Sequence, residues 1–118
     1  MPGKRPHYNL AAWQEAIALV KLIYTATSRF PKEELYGLTA QIRRCAVSIP
    51  SNLAEGAART SRKEFAQFLS FAKGSLSELE TQLLIAVELG FLNPQDGVFD
   101  SLEVVSKLFS GLHRKLIK

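Results

Sequence analysis

The chain has 118 residues, of which 47% are hydrophobic and 22% charged, with one cysteine and a net charge of +4. This length favours one domain around one core, and the composition is that of an ordinary folded chain. One thiol, Cys45, excludes an internal disulfide and cannot by itself make a zinc site.

No run approaches the ~18 uninterrupted apolar residues of a membrane span. Asn9, Gln14 and Glu15 interrupt any leader after Lys4 and Arg5. A cytoplasmic protein with no membrane partner is therefore expected. The charge lies in blocks. Residues 1–42 carry +2, residues 43–73 carry +4, residues 74–106 carry −6 and residues 107–118 carry +4. Such blocks serve as solvated faces, as pairs between helices, or as a footprint for a polyanion.

Residues 1–8 contain Pro2, Gly3 and Pro6 and read as a flexible N-terminal segment, with one domain over 9–118. Asn9 is placed to cap a helix from Leu10. Its apolar stripe is Trp13, Ala16, Ile17, Val20, Ile23, Tyr24 and Phe30, with Leu19 and Leu22 off that stripe. The surface is wider than one bundle face needs, which suits either deep burial or contact with another subunit. Phe30-Pro31 ends the helix, because the residue before proline leaves the helical region.

A second helix follows, with apolar residues at Leu38, Ile42, Cys45, Ile49 and Leu53. Pro50 lies inside this pattern without changing its phase, so one helix kinked at Pro50 is expected. The opposite stripe is polar: Gln41, Arg44, Ser48, Asn52, Glu55 and Arg59. Ser48 and Asn52 are candidates to satisfy the carbonyl that Pro50 frees. Glu55 and Arg59 form an i,i+4 pair. The connection from Gly56 is basic, and Ser61 with Glu64 reads as a capping box that opens a third helix, ending at Gly90.

If the third helix returns antiparallel after a short turn, Arg43 and Arg44 lie level with Ser75 and Leu76, one turn from Glu78 and Glu80. An Arg–Glu pair, within a subunit or across an interface, is then expected. Gly74 in mid-helix invites a close backbone neighbour. Asn93-Pro94 reads as the start of a fourth helix carrying Val98, Leu102, Val105, Leu108, Leu112 and Leu116. It ends in His113, Arg114, Lys115 and Lys118, which complement the helix dipole or bind an anion. Four helices with short links predict an all-α, up-down-up-down antiparallel four-helix bundle.

The sequence contains no Gly-rich phosphate loop, no metal-spaced His/Cys cluster and no H-E-x-x-H. No catalytic residue, cofactor or metal is assigned, and no enzymatic activity is expected. The candidate nucleic-acid-binding residues are Arg44, Arg59, Arg62 and Lys63, and the candidate polar network is Arg43, Arg44, Ser48, Asn52, Glu55, Glu78 and Glu80.

Tyr36-Gly37-Leu38, Gln41 to Arg44, and Ala46 to Gly56 (AVSIPSNLAEG) resemble the family called 23S rRNA intervening-sequence proteins. So do Ser61 to Phe65 and Gly74 to Glu80, with Trp13, Ile23-Tyr24 and Phe30-Pro31 in the first helix and Glu88 to Leu92 at the end of the third. Cys45 departs from the small residue expected there.

The resemblance implies a bacterial four-helix bundle that assembles into cyclic homopentamers. The family is similar to the accessory protein of diversity-generating retroelements, a basic pentameric barrel that binds nucleic acid and a reverse transcriptase. RNA or DNA, and a reverse-transcriptase-like or other protein, are thus implied partners. Two functions follow as expectations. One is a homo-oligomer that binds nucleic acid through repeated basic residues. The other is a structural adaptor that recruits a protein without nucleic acid.

Overall fold

The computed structural model describes residues 5–118, so the first half of the expected flexible segment lies outside the described residues. The helices are α1 (Ala11–Thr27), α2 (Leu38–Ala57), α3 (Arg62–Glu88) and α4 (Val98–Leu116). Each helix packs on its two neighbours around the bundle, while the diagonal pairs α1/α3 and α2/α4 do not approach. This is the expected antiparallel four-helix bundle, 43 Å long. The α2–α3 pair is the most extensively packed.

One core runs through the bundle, with Leu19, Ile23, Ile49, Leu53, Leu79 and Phe109 fully buried. Each such side chain contributes ~1.5–3 kcal/mol from burial. Leu19 belongs to this core rather than lying off the stripe, while Leu22 and Tyr24 face outward. The stripe of α1 is thus centred one residue position away from where spacing alone put it.

Helix ends set by adjacent residues form as the sequence specifies. Ser61 Oγ accepts the Glu64 N–H at 3.1 Å and opens α3. Gly90, at φ +81°, closes α3. Its N–H donates to the Val87 carbonyl, and the Phe91 N–H reaches the Ala86 carbonyl. These are the paired bonds of a Schellman end, which needs the left-handed backbone that glycine tolerates.

Other ends differ. Asn9 does not cap α1; it closes a short 3-10 turn, Pro6–Asn9, and Leu10 stands at the cap without a side-chain bond. In that turn Tyr8 and His7 stack on Trp13, which ties residues 7–8 to the core. Helix α1 stops at Thr27, three residues before Phe30-Pro31. Asn93 caps a turn by accepting the Gln95 N–H, and Asp96 accepts the Val98 N–H, so α4 starts at Val98 rather than at Asn93-Pro94.

Pro50 sits buried inside one continuous α2. Ser48 and Asn52 do not serve the Ala46 carbonyl, the one that lacks the Pro50 donor. Ser48 Oγ donates to the Cys45 carbonyl at 2.6 Å and Asn52 Nδ2 to the Ser48 carbonyl at 2.9 Å. Asn52 thereby reaches its own i−4 carbonyl, the ordinary reach of a side chain on a helix.

Candidate nucleic-acid interface

The polar stripe of α2 forms one wall of a groove whose other wall is α3. Gln41, Arg44, Cys45 and Ser48 face Ser75, Glu78 and Gln82 across about 480 Å³. The antiparallel register is close to expectation: Ser75 lies beside Cys45 and Ser48, and Ser48 Oγ donates to Ser75 Oγ at 2.9 Å. The Cys45 thiol lies 3.1 Å from the Ser75 carbonyl and 3.7 Å from Glu78 Oε2. Burial first, and then the charge and hydrogen bond of Glu78, push this thiol up to about 12. It therefore stays protonated at neutral pH and is a poor nucleophile. The Gln82 side-chain oxygen is buried there with no hydrogen-bond partner.

The expected Arg–Glu pair does not form within the chain. Arg43 turns the other way, toward α1. Its Nε donates to Thr27 Oγ1 at 2.8 Å, and its guanidinium lies 4.6 Å from the centre of the Tyr24 ring. Thr27 is buried, and its hydroxyl donates in turn to the Ile23 carbonyl. Arg44 stays exposed at the rim of the groove. Glu80 lies on the far edge of α3, in a groove against α4 shared with Lys73 and Ser106. Glu78 and Glu80 are two residues apart, about half a helix turn, which sends them to opposite edges.

The basic connection is partly committed. Arg59 pairs with Glu55 at 2.9 Å, approaches Glu64 at 4.0 Å, and lies over the Phe68 ring at 4.9 Å. Its partners are on α2 and α3 themselves, not among the acids of residues 74–106. Arg62 donates to the Lys115 carbonyl at the end of α4. Ser70, about two turns further along α3, meets His113 at 3.2 Å. Lys63 takes part in no ion pair among the described residues. Glu55 and Arg59, Ser48 and the groove thus share the α2–α3 seam, whereas Arg43 and Glu80 belong to other contacts.

Residues 8–111 match the family described as 23S rRNA-intervening sequence protein. The chain belongs to this family. The description names no reaction, and no curated protein matches the chain. No group of three metal-ligating side chains comes together among the described residues. No helix among them is long and apolar enough to cross a membrane.

Two features escaped sequence reading. The Arg62–Lys115 contact joins residues 53 positions apart, and no local signal marks it. The second is an aromatic pair beside the basic turn. Phe68 and Phe71 meet edge to face at 5.7 Å, and Phe71 is 51% exposed. Its signal was available: Phe71 falls three residues after Phe68 and outside the buried series Leu69, Ala72 and Leu76.

Proposed function

We propose that this protein is a non-catalytic, cytoplasmic homo-oligomer that binds nucleic acid through its phosphates. The observation that carries this reading is the Arg62–Lys115 contact. It brings the basic start of α3 against the basic end of α4, so two blocks that are distant in sequence share one end of the bundle. Lys63, Arg114, Lys115 and Lys118 gather there, while Glu88, Asp96 and Asp100 belong to the opposite end. Basic residues outnumber the acids Glu55 and Glu64 at this end, and a net positive field attracts a polyanion and orients it. The Arg62 guanidinium also covers a terminal carbonyl of α4, whose partial negative charge would repel phosphate.

Assembly is supported by an apolar groove between α1 and α2, lined by Trp13, Ile17, Val20, Val47, Pro50 and Ala54. A ring of five follows from the resemblance to pentameric relatives. Repeating a weak basic site around a ring multiplies its effect. Light scattering should return several times the 13.1 kDa chain mass. Fluorescence anisotropy should show binding to RNA or DNA that weakens steeply with salt. Replacing Arg59, Arg62 and Lys63 together by alanine should weaken binding to all sequences while leaving the mass unchanged.

Exposed Leu35, Tyr36 and Leu89 favour a second reading. They lie at the α2-start and α3-end of the bundle, away from the basic turn, and suit a protein partner such as a reverse-transcriptase-like enzyme. Absence of nucleic-acid binding at low salt, with the oligomer intact, would leave that adaptor role.

A further inference from the structure

We propose that Phe71 is a base-stacking position, so that the nucleic acid held by this protein is single-stranded and runs along the α2–α3 seam. The inference rests on the nucleic-acid reading above and narrows its substrate class. Lys63, Gln67, Phe71 and Ser75 follow one another at intervals of four along α3, a row that turns about 40° per step around the helix toward the seam at Ser75. Lys63, Gln67 and Phe71 are all exposed, and none of the four is acidic. Two acids flank this row: Glu64 is turned to Ser61 and Arg59, and Glu78 lines the groove opposite Arg44.

Phe71 keeps half of its surface in water although it packs edge to face on Phe68, whose own ring carries the Arg59 guanidinium. An aromatic ring fixed by a neighbour, with the Arg59 guanidinium on that neighbour's ring, has the two parts that single-strand sites combine: a stacking surface for a base and positive charge for the backbone. Duplex cannot use it, because paired bases already stack on one another and offer no free face.

Past Phe71 the row reaches Ser75 and the groove, where Arg44 supplies a second cation at the rim. The Gln82 side-chain oxygen lies buried in the same wall without a partner. The seam thus carries Arg59 beside the aromatic pair and Arg44 at the rim of the groove.

The test uses the full chain and three probes: a fluorescein-labelled mixed-sequence DNA strand, the RNA strand of the same sequence, and the DNA duplex. The wild-type protein should bind the single strands more tightly than the duplex. F71A should weaken single-strand binding by about 5- to 150-fold, the range that alanine produces at stacking rings, and leave duplex binding unchanged. F71W should retain single-strand binding and show quenched tryptophan emission when the strand is added, whereas the buried Trp13 should not respond in the wild type. No binding of any probe by the wild type would overturn the nucleic-acid reading itself. Binding by the wild type that F71A leaves intact, or lowers equally for strand and duplex, would overturn the stacking inference alone. A drop in oligomer mass for F71A would also overturn it, since Phe71 would then be a contact between subunits.

Discussion

Helix α2 is held differently on its two sides. Toward α3 it is held by close approach: a Cβ placed on Gly56 would lie 2.8 Å from the Phe68 Cβ and 3.3 Å from the Phe65 carbonyl. Toward α1 it is held by a polar clamp, Arg43 on Thr27 and Tyr24. The first contact depends on the lack of a side chain and the second on a particular one. A steric contact of this kind fails as soon as volume is added, because packed interiors yield little. A hydrogen-bonded clamp whose arginine is only half-buried fails more gently, because water can replace the partner that the guanidinium loses.

Gly56→Ala should therefore have the largest effect. The atoms it meets are Phe68 Cβ and main chain, which cannot swing aside, so a loss of roughly 1–3 kcal/mol or more is expected in urea unfolding. An unchanged midpoint would mean that α2 and α3 are free to separate at this point. Thr27→Val comes next. It keeps the shape but removes the acceptor for Arg43 Nε, and a loss of about 1 kcal/mol is expected. If Arg43→Ala costs as much, and the double variant costs no more than either single one, the two side chains act as one unit. The smallest effect sharpens the contrast by changing sign. Gly74, on the same pair of helices, has nothing within 4 Å of a Cβ position. Gly74→Ala should raise the melting temperature, with a gain of about 0.5–1 kcal/mol, because alanine is the better helix former and meets no clash.

The same contrast explains what could be read in advance. Gly74 in mid-helix suggested a close neighbour, yet the close neighbour is at Gly56, which sequence placed only at the end of a helix. Glycine reports that a side chain is missing, not whether space is missing too. The sequence predicts that at least one of Arg43 and Arg44 pairs with an acid one turn away, within a subunit or across an interface. One points to α1 and the other to the groove, because adjacent residues on a helix diverge by about 100°. Ser61, Gly90 and the Glu55–Arg59 pair were read correctly because each depends on residues a few positions apart. The start of α4 was not, because Asn93 and Asp96 both serve as turn caps and sequence does not rank them.

By itself, then, the sequence determined the four amphipathic helices, their antiparallel order, the passage of α2 through Pro50, and the family. These follow from periodicity and from caps, which act over one or two turns. Tertiary structure alone decided that Arg62 meets the end of α4, that Arg43 leaves the acids for Thr27, and that Phe71 packs on the ring that the Arg59 guanidinium covers. Those outcomes depend on helix rotation about the common core. A rotation of a few tens of degrees exchanges the neighbours of every surface side chain while leaving the hydrophobic pattern satisfied.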